Sequence, residues 1–553
     1  MQTELAFTEC NMMHGAKREP YTDPARSQTL SMLGSELHAS WEISSVPEAQ
    51  ESGGTGKAQS HNPVAHADEK SDTPVVPRKP SNKGKPAEMV EGRGAAKGNA
   101  NKPPAQRTPR RNKIASRGLE GVRIAVRQDK TLRCTALLHH ITPELLVESF
   151  YALSRNAAAG VDAVTWRDYE QGLDDRVQTL HQQIHRGGYR ANPSRRVHIP
   201  KADGKQRALG IASIEDKVVQ QAVVTVLNTI YEEDFLGFSY GFRPGRSQHQ
   251  ALDALSVAIK SKGVGWIVDA DIAAFFDEID HDWMLKFLEH RIADQRLLRL
   301  IRKWLKVGVI EGGRRVAATK GTPQGAVISP LLANIYLHYA LDLWARQWRH
   351  RHAPGKAIMV RYADDSVFGF RSQETATSFL AAMQERLAKF GLSLNTAKTR
   401  LIEFGRFAAS NRQSRGQGKP ETFDFLGFTH CCSTSRQGRY QVLRLTVKKR
   451  MRAKIAQIRV ELMRRRHHSI AEVGKWLSRV VQGYLNYHAV PGNLHRLRSM
   501  RREIERAWRQ ALKRRSQRPK MPWSRFRLIA KRFMPTPRNA HPYPEERFYA
   551  SHT

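Results

Sequence analysis

A chain of 553 residues with 40% hydrophobic composition is long enough to bury several cores, so more than one domain is expected. Its 91 Lys plus Arg stand against 52 Asp plus Glu, a formal charge of +39 at a pI near 10.4, and a field of that size recruits polyanions, with nucleic acid the expected partner. Cys10, Cys134, Cys431 and Cys432 are too few and too badly spaced for a disulfide framework or a zinc site, and no run of 18 apolar residues escapes charge or proline, which excludes a membrane span.

In chain order, the N-terminal MQTELAFTECNMMHGAKREPY has no basic segment leading into an apolar stretch, so a soluble, intracellular protein is expected. Residues 1 to about 130 carry only Phe7, Tyr21 and Trp41 as aromatics, and the part from Glu51 to Arg111 is rich in Gly, Pro, Ser, Ala and Lys; disorder is expected there. Within it, Lys102 to Lys113 reads as a solvated linker or as a flexible basic arm. Order is expected to begin near Thr142, where an N-cap-like Thr-Pro precedes helical spacing of Leu145, Leu146, Phe150 and Leu153. No internal repeat of 20 to 50 residues is apparent.

Gly265 to His281 reads as a short β run, Trp266 to Val268, that delivers Asp269 and Asp271 on one face of its end, with Phe275 and Phe276 close behind. Ile358 to Phe370 reads as two β runs joined by a polar turn, Ala363-Asp364-Asp365-Ser366. Adjacent carboxylates repel unless a divalent cation lies between them and another acid, and oxygen-rich sites suit magnesium. Two metals about 4 Å apart activate a primer hydroxyl and stabilise a leaving pyrophosphate, so a nucleotidyl transferase needs a first-strand acid plus acids from a hairpin. The 93 residues from Asp271 to Asp364 leave room for intervening helices, a palm-like arrangement. Farther on, residues 448–538 hold 27 Lys and Arg against four Glu and no Asp. Ile455, Ile458, Leu462 and then Trp476, Leu477, Val480, Val481 and Tyr484 recur at helical spacing, so one face packs while the other presents arginines to phosphates.

From about Thr142 onward the ordered series of segments resembles the reverse transcriptase and maturase proteins encoded by group II introns. The segments are RRVHIPKADGKQRALGI, Glu215 to Leu252, DADIAAFFDEIDH, GTPQGAVISPLLANIYLH, RYADD, FGLSLNTAKTRLIEFG and TFDFLGFTH. The resemblance implies an α+β fold: right-hand polymerase fingers and palm over residues 131–430, then a helical thumb and maturase (RNA-binding) region over 431–553, after a disordered segment 1–130. It gives Asp271, Asp364 and Asp365 the metal sites, with the Ile272 carbonyl as a further ligand for two Mg2+ ions, Mn2+ being the substitute. It sets Lys201 and Arg207 over the incoming triphosphate, Gln324 beside the template or nucleotide sugar, and Lys398 near the triphosphate during transfer. Phe276 looks like the gate against a ribose 2′-hydroxyl, with Phe275 the neighbouring alternative. Val480 to Asn493 resembles the family's maturase region, and the arginines expected on RNA are Arg464, Arg465, Arg466, Arg501, Arg502, Arg514 and Arg515. The implied partners are group II intron RNA, RNA template with DNA primer, target DNA and deoxynucleoside triphosphates, in the cytoplasm of a bacterium and without a membrane. Two departures stand out: Ala208 replaces a usual proline, and Ala273-Ala274 replace a common Lys-Gly. Cysteine pairs of an H-N-H endonuclease are missing after Asn493, so second-strand DNA cleavage is not expected. A domesticated or defence-associated (CRISPR- or diversity-generating) reverse transcriptase, or a splicing-only RNA-binding cofactor, is the alternative.

Overall fold

The computed structural model describes residues 112–200, 206–435, 437–515 and 521–550. In chain order the strands are β1 (Ser194–Pro200), β2 (Gln206–Ile211), β3 (Trp266–Asp271), β4 (Val309–Glu311), β5 (Arg314–Val316), β6 (Ile358–Tyr362), β7 (Asp365–Phe370), β8 (Arg400–Glu403), β9 (Phe423–Phe425), β10 (Phe428–Thr434) and β11 (Tyr440–Thr446). They form three sheets, ordered β2-β1-β4-β5, β6-β7-β3-β8 and β11-β10-β9.

The β6-β7-β3-β8 sheet is antiparallel and covered on both faces, which explains why β3 reads as an unbroken Trp-Ile-Val run rather than as an alternation. Val268, Ala270, Met359, Phe368 and Phe370 face a helical core that includes the helices Ile214–Asp234, His281–Glu289 and Ser329–Leu337. Ile267, Val360, Val367 and Ile402 face the other way, onto the helix Gln248–Ser261 and the β9–β10 strands. A one-residue slip of β3 would exchange these two sets, so packing on both faces specifies its register. The helix Ile214–Asp234 is sunk in the first core, with Val218, Val219, Val223, Leu227, Ile230 and Tyr231 at 0% exposure.

The helices Lys448–Arg464, Ile470–His488, Leu494–Lys513 and Trp523–Phe533 share a separate core around Leu462, Leu477, Val481, Ile504, Trp508 and Phe526. The chain then returns. Ala540 N–H donates to the Ala489 carbonyl at 2.9 Å, and the helix Pro544–Ala550 buries Phe548 in the core beside Gln248–Ser261. No helix among the described residues is long and apolar enough to cross a membrane.

Two expectations change. A helix at Asn112–Gln128 lies inside the segment expected to be disordered, and it buries Leu119 and Val126 while Arg123 and Arg127 pair with Glu233. Leu119, Val122 and Val126 follow helical spacing, a signal hidden among glycines and arginines. The expected boundary at residue 431 cuts through β10, and β10 pairs with β11 along its whole length, so the break in structure comes after Thr446. The rest of the expected disordered segment, 1–111, lies outside the described residues.

Candidate active site

The end of β3 meets the start of β7. In register Asp271 stands directly opposite Asp365, and on the other side of β7 Tyr362 of β6 stands opposite the same Asp365. The turn between β6 and β7 is therefore two residues long, Ala363-Asp364, and the expected four-residue turn is corrected: Asp365 and Ser366 belong to β7. Two-residue hairpins need a left-handed first residue to match strand twist, and Ala363 supplies it at φ 58°. Cross-strand neighbours lie about 4.5–5.5 Å apart at Cα, so Asp271, Asp365 and the adjacent Asp364 gather at one sheet edge.

Asp271 is held from the segment that enters β8. Its carbonyl accepts from Asn395 N–H at 2.8 Å, its N–H donates to Thr399 Oγ1 at 3.4 Å, and Lys398 Nζ donates to its Oδ2 at 2.9 Å. Ala273 N–H donates to Ser393 O at 2.9 Å, so with the Asn395 bond it brackets Ile272 and Leu394 as a pair without mutual hydrogen bonds. By strand alternation the Ile272 carbonyl then points away from Leu394, to the side on which β7 begins at Asp365. Asp269, one pleat back on the same face, has its carboxyl pushed up to about 7 by burial, against the pull of Arg400 and with the help of the Asp365 charge.

On the approach side, Phe275 and Phe276 separate. Phe275 is 3% exposed, in edge contact with the Tyr336 ring, whereas Phe276 is half-buried. The Phe276 carbonyl accepts from Thr322 N–H at 2.8 Å, and Gly321 (φ 80°) passes so close that a Cβ would sit 2.9 Å from that oxygen. This ties the gate candidate to the loop that bears Gln324. The Gln324 carbonyl in turn accepts from Gly210 N–H of β2 at 2.7 Å, three residues beyond the exposed Arg207. Gln220, buried in the Ile214–Asp234 helix, accepts from Val327 N–H at 2.9 Å and steadies the same loop. Lys201 lies outside the described residues.

Arg361, overlooked as a separate site residue within the RYADD segment, is 1% exposed behind the hairpin. A lone cation inside the apolar run from Ile358 to Phe370 was the available signal. It lies against Asp342, Asn334 and Ser239, and Asn334 Nδ2 donates to the Gly241 carbonyl at 2.6 Å.

The predicted RNA-facing arginines do not form one free surface. Arg464 and Arg465 both pair with Glu461, Arg465 lies over the Trp476 ring at 4.9 Å, and Arg466 donates to the Met463 carbonyl. Arg501 pairs with Glu505 at 3.0 Å and Arg515 donates to the His468 carbonyl at 2.8 Å, while Arg502 and Arg514 are exposed. Sequence reading also missed the clasp on Asp253, a fully buried acid of the Gln248–Ser261 helix that takes Arg444 from β11 and Arg547 from the C-terminal helix.

A family model described as reverse transcriptase (RNA-dependent DNA polymerase) matches residues 199–430, the segment that contains every element of this site. The chain carries a reverse transcriptase domain over these residues. It is 38% identical to Protein YkfC of Escherichia coli K12 over 241 residues, 42% of this chain and 62% of that protein. It is 36% identical to the group II intron-encoded protein LtrA of Lactococcus lactis over 199 residues, 36% of this chain and 33% of that protein. A mitochondrial nuclear intron maturase 1 of Arabidopsis thaliana is 28% identical over 111 residues, 20% of this chain and 15% of that protein. The matches span less than two thirds of each relative's length.

Reverse transcriptase domains work with divalent metal ions, and Asp271 and Asp365, facing each other across β3 and β7, are oxygen donors of the kind such an ion takes. Among the described residues no three His, Cys, Asp or Glu side chains are grouped so that they could hold a metal ion by themselves. A hard cation such as Mg2+ keeps several waters and is bound through one or two carboxylates together with substrate phosphate. Asp271 and Asp365 are the carboxylates that would take part, and the Lys398 ammonium pairs with Asp271 at 2.9 Å.

Proposed function

We propose that this chain is an RNA-directed DNA polymerase encoded by a group II intron, which also binds the intron RNA as a splicing maturase and acts in intron splicing and mobility. The carrying observation is the register of β3 on β7, which sets Asp271 opposite Asp365 with Asp364 in the adjoining turn. In this reading Asp271, Asp364, Asp365 and the Ile272 carbonyl hold two Mg2+ ions, for which Mn2+ can substitute, in a bacterial cytoplasm. The bound ions supply the Lewis acidity that activates the primer 3′-hydroxyl and offsets charge on the leaving pyrophosphate.

The side chains around them bind and orient the nucleotide. Lys201, Arg207 and Lys398 offset triphosphate charge, and Gln324 sits at the template or sugar. Phe276, tied by its carbonyl to the Gln324 loop, meets the sugar face and excludes a 2′-hydroxyl. The four basic helices from Lys448 onward act as thumb and maturase surface, with residues 131 to about 446 as fingers and palm. Intron RNA, an RNA template with DNA primer, target DNA and deoxynucleoside triphosphates are the partners.

Primer extension on an RNA template tests the reading. Asp364→Asn or Asp271→Asn should abolish cDNA synthesis while RNA affinity stays within a few fold, because the basic surface is untouched. Retained polymerisation in either variant would defeat the assignment.

A further inference from the structure

We propose that Arg361 is a positioning residue that sets the metal affinity of the site by locking the Ala363-Asp364 turn, an inference that rests on the polymerase reading above. All five N–H donors of its guanidinium are spent. Nε donates to Asp342 Oδ1 at 2.7 Å and Nη2 to Asp342 Oδ2 at 2.5 Å. Nη2 also donates to Ser239 Oγ at 2.7 Å, and Nη1 to Asn334 Oδ1 at 3.1 Å. The remaining bond is the informative one: Nη1 donates to the carbonyl of Ala363 at 2.9 Å. That carbonyl opens the peptide linking Ala363 to Asp364, so the buried cation grips the turn that presents the acid.

The grip is needed because the turn is strained. Ala363 lies at φ 58°, a region a non-glycine residue occupies only when its surroundings enforce it. Enforcement comes from two sides. Gly241 presses on the turn from outside, where a Cβ would stand 2.3 Å from Ala363 N, and Asn334 holds Gly241 by its carbonyl. From within, Arg361 is fixed by Asp342, the last residue of a π-helical segment, His338–Asp342, that continues the Ser329–Leu337 helix. A wide turn of this kind re-aims a side chain at a functional site, and here Asp342 meets the guanidinium with both oxygens.

The backbone of Arg361 is engaged as well. Its N–H donates to Phe238 O at 2.9 Å and its carbonyl accepts from Tyr240 N–H at 2.8 Å, so the segment 238–241 covers the free edge of β6. The turn is thus held by elements that lie 19 to 122 residues away in the chain. Lysine could balance the Asp342 charge, but its three donors on a point charge cannot span Asp342, Ser239 and the Ala363 carbonyl together. Charge compensation and turn locking are therefore separable.

Mn2+ binding to the full-length protein on an RNA template with a dideoxy-terminated primer, followed by electron paramagnetic resonance, reads the site without turnover. Arg361→Lys should raise the Mn2+ dissociation constant by about fivefold or more. Turnover should fall by about 10- to 100-fold with KM for the nucleotide within about twofold, the scale expected for carboxylates displaced by about 1 Å. Unchanged Mn2+ binding in Arg361→Lys overturns the proposal, whatever happens to turnover. If that variant does not fold, Ser239→Ala decides, since it removes one of the five bonds and leaves the ion pair; about a twofold loss of Mn2+ affinity supports the clamp and none overturns it. A wild-type protein that binds Mn2+ but extends no primer would instead defeat the polymerase reading, while the Mn2+ comparison still judges Arg361.

Discussion

Sugar selection can be tested by truncating the two adjacent phenylalanines separately, because the structure gives them different surroundings. Phe275 is 3% exposed and packs edge-on against Tyr336, so Phe275→Ala removes a core ring and should cost about 3–5 kcal/mol of stability. Phe276 is half-buried and tied through its own carbonyl to the Gln324 loop, so Phe276→Ala leaves that hydrogen bond in place and should cost less than half as much. If the Phe276 ring stands under the sugar, exclusion is by size, and its loss should lower discrimination against ribonucleotides by about 10- to 100-fold, or about 1.4–2.7 kcal/mol of transition-state difference. Single-nucleotide incorporation with matched ribo- and deoxyribonucleotides measures the ratio, and chemical denaturation measures the stability. Equal discrimination in wild type and Phe276→Ala would refute the gate, and a lost discrimination in Phe275→Ala would move it one residue back.

Ala274, at φ 43°, occupies a left-handed position that favours glycine, so Ala274→Gly should stabilise the protein by about 0.5–1 kcal/mol, read as a rise in melting temperature. His249, His430 and His488 are pushed down to about 3, chiefly by burial, so the unfolded chain binds protons first as pH falls below about 6.5. Their contribution is complete above that value and lost towards pH 3; by pH 5 each should have cost about 2 kcal/mol, and His249→Phe should flatten the denaturation midpoint between pH 6.5 and 5. In salt titrations of RNA binding, Arg514→Gln should lower the log-log slope by about 0.9 on duplex-like RNA. Arg465→Gln should lower it less and destabilise the helices, since Arg465 already pairs with Glu461 and covers Trp476; equal slopes would mean that both side chains meet phosphate alike.

That Asp271 lies at a strand end and Asp364 and Asp365 at a hairpin was legible in the sequence because the signals around them are local. An apolar run that meets charge marks the end of a strand, and a polar dyad between two β runs marks where a hairpin reverses, although β3 keeps Asp269 and Asp271 within it and β7 takes in Asp365. The helical periodicity of Ile455, Ile458 and Leu462 was legible for the same reason. The tertiary structure decided what local signals do not carry. The length of the Ala363-Asp364 turn follows from the register of β6 on β7, and that register is specified by cores on both faces of the sheet, assembled from helices far away in the chain. Phe275 and Phe276 are equivalent in sequence, and only the Tyr336 ring and the Gly321–Thr322 backbone tell them apart. Arg361 and Asp253 each stand as one charge in an apolar context, and their partners, Asp342, Ser239, Arg444 and Arg547, are brought to them by folding. A buried charge demands a partner, but the demand does not say which one; long-range packing makes that choice.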